Sequence, residues 1–345
     1  MSDVLNPITL EASVAKGLWA PDQALTSICI ANFNQMPYVG KRVFPLVNVT
    51  QSAGRYYTFN KGDLARLTMK NKPLYGKVDP TTHQLGKDTY AVDVKQAIHG
   101  MDDFTMVDMT REPLPGVANP TIGPVAMLAE QMNMYLDWSF GDHFFKTGKW
   151  NIELASTTGS TNYSGSVFKI WSDNASNPLA DIRYGIQTIT KYGRRKPNKL
   201  VLGADAYNAL VDHPDFIERV KYSGAVGSPA VVNTNVLAAI FGLEEVMVSE
   251  TTYNDAGVGD TDNMTYALTP DAALLLYAQN SAVLDTPSAG MTYMWDMGLG
   301  SPMAVRRYSA AEVDPMAHAS YIEGLMAFDM KVTGQDMAVY YHNVV

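Results

Sequence analysis

One long amphipathic stripe dominates the pattern of apolar and polar positions along the chain. Between residues 119 and 148, apolar side chains recur at intervals of three and four, at Val125, Leu128, Met132, Leu136, Phe140 and Phe144. A period near 3.6 residues is typical of a helix with one buried face. Thr121 is a suitable N-cap and Gly148 a suitable stop. The pattern therefore predicts one helix over about 121–147, roughly 30 Å long.

A second region alternates short helices with short strands. A helix with Leu179, Ile182, Ile186 and Ile189 on one face precedes an apolar strand over residues 199–202. The sequence then predicts a helix from Ala204, a further helical turn carrying Phe216, Ile217 and Val220, a helix over 236–241 that Gly242 ends, and a strand over 245–249.

Strand-like runs precede the predicted long helix and recur through the rest of the chain. GRYYTFN (54–60) and TYAVDVKQAI (89–98) enclose a long segment with several lysines and turn formers, and a loop of this length indicates a hairpin that projects onto a neighbour. SVFKIW (166–171) is predicted as one strand of a surface hairpin. MTYALT, AALLLYA, MTYMWDM, MAVRRYS, HASYIEGLMAFDMKV and MAVYYHNVV follow, with a flexible acidic loop at 254–263. The class is α+β with interleaved units.

The first 45 residues show no sustained period. Their apolar residues suit a segment that lies along another surface rather than a free tail, as at Leu5, Ile8, Leu10, Leu18, Ile28 and Phe33.

Composition narrows the classes of function. Charged residues make up 18% of the 345-residue chain and apolar residues 46%, which indicates either a surface covered by partners or one large core. The net charge of −9 argues against a sequence-specific nucleic-acid binder. The basic group at 194–196 is interpreted as a solvated turn.

Cys29 is the one cysteine, so no intrachain disulfide forms, and its apolar neighbours predict a buried thiol. No membrane span or secretion signal is predicted.

Catalytic and ligand-binding patterns are absent from the sequence. The six histidines are scattered without zinc-ligand spacing, and the aspartates of 254–263 lack calcium-loop spacing. The turn at Gly203 has one glycine where a dinucleotide site needs several, and no nucleophile elbow occurs. No catalytic, cofactor or metal residue is therefore predicted. His213, before Pro214, is interpreted as a helix C-terminal cap.

The region 194–253 resembles the axial domain of tailed-bacteriophage major capsid proteins. The strand at 199–202 and the phrases ADAYNAL, HPDFIERV, AAIFGLEEV and SETTYN, in that order, carry the resemblance. It implies an HK97-like capsid fold. The implied parts are an N-terminal arm (1–45), an extended β-hairpin loop (46–100), a peripheral domain (101–180 and 285–345) with the spine helix at about 121–147, and an axial domain (181–284).

The resemblance implies a structural protein and not an enzyme. Its copies would form the hexamers and pentamers of an icosahedral virion shell around double-stranded DNA, assembled in the bacterial cytoplasm. The implied partners are a separate scaffolding protein, a portal protein and non-specifically held DNA, and a decoration protein is left open. The candidate inter-subunit contacts are Lys61, Lys70, Lys72 and Tyr75 in the extended loop, Tyr222, Val226 and Val231 in the axial loop, and Asp255 and Asp260 in the acidic loop.

Alternatives stay open at the level of sequence. An encapsulin-like bacterial compartment shares the fold, and a soluble α/β enzyme would need the loop at 61–86 to close over its own body. Some capsid relatives crosslink a loop lysine to an asparagine. Here Lys70, Lys72 and Asn343 are available, but no glutamate lies near Asn343 in sequence, so no crosslink is expected. The short N-terminus predicts no proteolytic trimming.

Overall fold

The computed structural model describes residues 22–35, 38–58, 66–67, 69–72, 74–78, 86–111, 122–157, 167–223, 232–257, 259–281, 287–309, 316 and 318–345. The helices span Gln23–Gln35 (α1), Gly40–Val43 (α2), Asp103–Arg111 (α3), Ile122–Phe144 (α4), Pro178–Gly193 (α5), Ala204–Asp212 (α6), Pro214–Ser223 (α7) and Thr234–Phe241 (α8).

The strands of the described residues form four sheets. They span Leu46–Val49 (β1), Ala53–Thr58 (β2), Gly86–Ala91 (β3), Asp93–Asp102 (β4), Glu153–Thr157 (β5), Val167–Lys169 (β6), Lys199–Gly203 (β7), Glu245–Ser249 (β8), Thr252–Asn254 (β9), Met264–Tyr266 (β10), Ala273–Leu276 (β11), Gly290–Trp295 (β12), Met303–Tyr308 (β13), Ala319–Val332 (β14) and Ala338–His342 (β15).

The predicted long helix is α4, and its apolar stripe is the centre of the first core. All six stripe residues are buried. The helix packs against β14 of a five-stranded sheet with order β1-β12-β14-β13, in which β4 pairs with the other edge of β14. Helix α1 packs on both α4 and β13. We call α1, α4 and this sheet the spine unit.

A six-stranded sheet of order β6-β5-β15-β11-β7-β8 forms the second unit. Side chains of β7 alternate between two cores: Val201 packs in the core of the spine unit, and Leu200 and Leu202 pack with α5, α6 and α8. Every residue of β11 is buried, as expected for a strand that is covered on both faces of its sheet. We call this sheet and its helices the six-stranded unit.

Local sequence signals explain where several helices begin and end. The Asn177 side chain accepts a hydrogen bond from the Ala180 amide at the start of α5, and Asn233 does the same for Val236 at α8. Gly242 ends α8 with φ 67°, a left-handed conformation that glycine adopts at no steric cost. Among the described residues, no helix has the length and apolar character needed to cross a bilayer.

Residues 22–35, which belong to the predicted arm, form a helix that packs on its own chain. Leu25, Cys29 and Phe33 recur every four residues and face α4, which makes α1 an amphipathic helix with a partner inside the subunit. The Asn133 side chain in α4 donates a hydrogen bond to the Phe33 carbonyl over 3.2 Å. The predictions for residues 1–21 lie outside the described residues.

Two strand predictions need correction. SVFKIW is not part of a surface hairpin, because β6 pairs in parallel with β5 and Phe168 is fully buried. The predicted strand 89–98 is broken at Val92, whose amide donates to the Ser52 carbonyl, so β3 pairs with β2 while β4 pairs with β14. The last strand, β15, pairs with β11 and β5. Segments expected in the peripheral domain, at 153–169 and 338–342, thus belong to the six-stranded unit.

Candidate assembly interface

The β2–β3 hairpin holds the extended loop away from the rest of the subunit. Thr58 pairs with Gly86 at the last described rung, and residues 66–78 lie beyond it. Leu67 and Met69 are 97% and 98% exposed, and Tyr75 is fully exposed. Such apolar side chains in water indicate a surface that a partner covers.

The base of the hairpin is anchored by aromatic side chains. Tyr90 stacks on Tyr293 of β12 with ring centroids 4.6 Å apart, and Tyr56 packs on the same ring. The Tyr56 hydroxyl donates a hydrogen bond to the Asp88 carboxylate over 2.9 Å. Burial and this hydrogen bond raise the pKa of Tyr56, so the phenol stays protonated at physiological pH. The hairpin is therefore fixed at its base and exposed at its tip.

The candidate residues of the extended loop are exposed where the structure describes them. Lys70, Lys72 and Tyr75 all lie on the described tip. Tyr75 adopts φ 62° in a turn with Leu74, a left-handed conformation that side chains other than glycine seldom take. Lys61 lies outside the described residues.

The axial-loop candidates begin in the last turn of helix α7 and continue beyond it in the chain. Tyr222 is in the last turn of that helix, and Val226 and Val231 lie outside the described residues. His213 precedes α7, and its Nδ1 accepts a hydrogen bond from the Asp215 amide. His213 is the C-cap residue of α6, as the sequence indicated, and its side chain also caps the start of α7.

The acidic loop joins β9 to β10 and is ordered by its own side chains. The Asn254 side chain accepts hydrogen bonds from the Ala256 and Asn263 amides and donates one to the Asp262 carboxylate. Asp255 and Asp260 are exposed here, as are the apolar side chains of Met264 and Tyr266 on β10. Within the described part of the chain, no group of three or more His, Cys, Asp or Glu side chains is placed to hold a metal ion.

The candidate contacts do not converge on one pocket. The extended loop projects from the spine unit, whereas α7 flanks the six-stranded sheet and the acidic loop follows its edge strand β8. Several separate surfaces suit a protein that touches several neighbours, whereas a catalytic site needs convergent groups.

A cleft of about 810 Å³ separates α4 from the segment that runs from β8 to β9. Tyr38, Val39 and Met134 contribute apolar surface, and Glu130 and Glu250 contribute exposed carboxylates. Sequence reasoning missed this cleft, because its two walls are more than one hundred residues apart in the chain. The available signal was the outward position of Glu130 and Met134, one turn apart on the predicted helix.

A polar joint that shares Thr251 with the cleft was also missed. The buried Asp137 carboxylate of α4 accepts hydrogen bonds from the Gly40 amide at 2.6 Å and the Thr251 hydroxyl at 2.6 Å. The Lys199 ammonium of β7 donates to the carbonyls of Arg42 and Val43 at 2.6 and 3.0 Å. A carboxylate therefore holds the first turn of α2 and an ammonium holds its end, as the helix dipole favours.

Burial controls the titration of these groups. It raises the pKa of the Asp137 carboxyl, although hydrogen bonds from Thr251, Gly40 and Val39 and the nearby Lys41 oppose the change. Burial also lowers the pKa of Lys199, against the attraction of Glu245 and Glu244. It raises the pKa of Cys29 to about 11, and the predicted burial of this thiol is confirmed.

Further exposed apolar residues lie on the spine unit and on α3, which follows β4. They are Ile122, Met127, Tyr135 and Trp138 on α4, Val94 and Ile98 on the edge strand β4, and Phe104 and Val107 on α3. This distribution supports the interpretation of the low charge content as a sign of surfaces covered by partners.

Comparisons with known proteins identify the fold. The chain is 27% identical to the major capsid protein of Burkholderia phage BcepMu over 248 residues, which are 71% of this chain and 72% of that protein. A phage-related protein of Bordetella bronchiseptica RB50 has a TM-score of 0.68 at 21% identity, over 94% of this chain and 97% of that one. No family model matches the chain.

Capsid structures share the architecture as well. The mature capsid of bacteriophage PhiM1 has a TM-score of 0.52 at 16% identity, over 89% of this chain and 87% of that one. The predicted α+β, HK97-like capsid fold is confirmed.

Proposed function

We infer that the chain is a major capsid protein of a tailed bacteriophage, a non-catalytic protein whose copies form the icosahedral shell of the virion. The observation that carries this function is sequence similarity to a phage major capsid protein over 71% of the chain, together with the HK97-like fold. The exposed extended loop and apolar surfaces of the spine unit supply the contacts that such a shell needs.

The two alternative functions have less support. An enzyme would need the extended loop to close over its own subunit, but the described tip residues are exposed. A bacterial compartment shell would share the fold, yet the sequence similarity over 248 residues is to a phage capsid protein, and this favours the phage shell.

In the proposed shell, copies associate as hexamers and pentamers. The six-stranded unit is the proposed axial domain, with Tyr222, Val226 and Val231 of the axial loop and Asp255 and Asp260 of the acidic loop near the capsomer centre. The spine unit is the proposed peripheral domain, and the extended loop with Lys61, Lys70, Lys72 and Tyr75 contacts the adjacent copy. The exposure of Met264 and Tyr266 beside the acidic loop supports a contact there.

Further partners belong to the same proposal. A separate scaffolding protein would guide assembly in the host cytoplasm, a portal protein would occupy one vertex, and double-stranded DNA would fill the shell. A decoration protein would bind outside if one exists. The net charge of −9 supports a shell that encloses DNA without adhering to it.

Expression in bacteria tests this function. The chain is produced alone and with its neighbouring reading frames, and the products are separated by gradient sedimentation and viewed by negative-stain electron microscopy. We expect closed icosahedral particles or capsomer rings, and a dependence on a scaffolding frame would separate a phage capsid from a compartment. A monomer under every condition would contradict the function.

A further inference from the structure

The extended loop is basic in a chain that is otherwise acidic. Its described tip, residues 66–78, contains Arg66, Lys70, Lys72 and Lys77 and no acidic residue, whereas the whole chain has a net charge of −9. All four basic residues are exposed. The same tip carries Leu67, Met69, Leu74 and Tyr75 in exposed positions, so it combines positive charge with apolar surface.

The cleft between α4 and the β8–β9 segment has the complementary character. Its charged lining residues are Glu130, Glu245, Glu250 and Arg42, and Arg42 forms an ion pair with Glu245. The exposed carboxylates of Glu130 and Glu250 are therefore left without a compensating cation in the lining. Burial, and then the negative charges of Glu130 and Asp137, raise the pKa of Tyr38, as expected for an acidic environment.

The cleft also contains apolar side chains that can pack against the apolar side chains of the loop. Val39 and Met134 line it next to the tyrosine ring of Tyr38, and its volume of about 810 Å³ has room for several side chains. A groove lined by both apolar side chains and carboxylates suits a segment that carries leucine, methionine and tyrosine between lysines.

We propose that the extended loop of one copy docks in this acidic cleft of a second copy. The inference rests on the proposed shell function and names the surface that receives the loop. The fully exposed tip shows that the loop does not occupy the cleft of its own chain. Because the loop and the cleft are different surfaces, the contact is heterologous, and such contacts form a ring, as in a capsomer, where the rotation between copies closes.

DNA is an alternative ligand for a basic loop, but it complements only the positive charge of the loop and not its apolar side chains. Phosphates attract lysine and arginine, yet they offer no apolar surface to Leu67, Met69 and Leu74. The cleft offers both negative charge and apolar surface, so a second copy fits the loop better.

Charge reversal on each side tests the proposal. Lys70→Glu with Lys72→Glu reverses the loop, and Glu130→Lys with Glu250→Lys reverses the cleft. Each pair alone should lower the yield of shells about tenfold, because it places like charges together, and the four changes together should restore most of the yield. Arg195→Glu with Lys196→Glu, which makes the same charge change in an exposed turn of the six-stranded unit, is the matched control.

The outcomes separate this proposal from the shell function. Normal shells from both reversed variants would overturn the docking but leave the capsid function intact. The docking would also be overturned, in favour of DNA binding, if only the loop variant lost shells. In that case its particles would retain less DNA, and the cleft changes would not rescue it. A wild-type chain that never assembles would overturn both. Thermal melting of the unassembled variants checks that each one folds.

A disulfide trap gives an independent readout. Cys29 is fully buried, so it can stay in place while Lys72→Cys and Glu250→Cys are introduced together. Oxidised shells should give a ladder of linked copies on a denaturing gel, since each loop joins the next subunit. An internal disulfide in single chains, or an absence of linked copies in well-formed shells, would overturn the proposal.

Discussion

Asp137 connects the two units through hydrogen bonds. Its carboxylate lies in the apolar stripe of α4 between Leu136 and Phe140, yet it is fully buried. It accepts hydrogen bonds from α2 and from Thr251, which follows β8 of the six-stranded unit. A buried carboxylate is tolerated only where donors surround it, so the residue fixes both neighbours relative to α4.

Removal of this carboxylate should destabilise the subunit. Asp137→Ala leaves the Gly40 amide and the Thr251 hydroxyl without their acceptor, and we expect a loss of about 3 kcal/mol in the free energy of unfolding. Urea unfolding of the unassembled subunit measures it. Asp142→Ala on the same helix removes an exposed carboxylate paired with Lys146 and should cost less than about 1 kcal/mol. Equal losses for the two variants would contradict the assigned role.

Asp137 should also give the subunit a characteristic pH dependence. Burial raises its pKa in the folded state, so the folded state binds more protons than the unfolded state in the window above the ordinary pKa of about 3.9. Its contribution to stability is thus fully present below that value and is lost as pH rises through the raised pKa. As pH rises through this range, the free energy of unfolding of the wild type should therefore fall relative to that of Asp137→Asn. A constant difference would refute the prediction.

Lys199 holds the other end of α2 and is open to a similar test. Lys199→Met keeps the side-chain length but removes the donor to the Arg42 and Val43 carbonyls. We expect a loss of about 2 kcal/mol in unfolding free energy. Lys191→Met, at an exposed position of α5, is the control and should be close to neutral. Wild-type stability for Lys199→Met would show that α2 does not need this contact.

At the scale of elements, the extended loop should be dispensable for folding and necessary for assembly. Replacing residues 59–85 by an Asn-Gly turn would close β2 and β3 as a short hairpin. The anchor of Tyr56 and Tyr90 on Tyr293 stays, so the melting temperature of the subunit should change little. Gradient sedimentation should then find no shells. Normal particles from the shortened chain would contradict the role given to the loop.

Elements with local signals were predictable from the sequence, and elements set by distant contacts were not. The helix predicted at 121–147 is Ile122–Phe144, and the strand predicted at 245–249 has those bounds, because periodicity and caps act within a few residues. The parallel pairing of β6 and the placement of β15 beside β11 depend on partners far along the chain. No local pattern encodes such pairings.

The candidate sites follow the same division. The lysines and Tyr75 of the extended loop could be named from the sequence, because a long polar segment between two strands marks a projecting loop. The cleft and the Asp137 joint could not, since each is assembled from segments of α4 and the β8–β9 region that meet only after folding. An aspartate within an apolar stripe marks an anomaly, but the sequence does not show which donors meet it.

At the scale of the whole molecule, the two units have different parts in one assembly. The six-stranded sheet is buried on both faces and shares one of its two cores with α4, so the subunit is held together through α4 and the α2 joint. Among the described residues, most of the exposed large apolar side chains lie on the spine unit, α3 and the extended loop. A subunit built in this way is completed by neighbours, which is the property that a shell requires.

The most direct test of this account is a cryo-electron microscopy reconstruction of particles formed by the chain with its neighbouring reading frames. The account predicts a closed icosahedral shell in which each extended loop lies on an adjacent copy. Particles that never form, with the chain remaining a monomer whose extended loop is folded against its own body, would contradict the claim that this is a capsid protein.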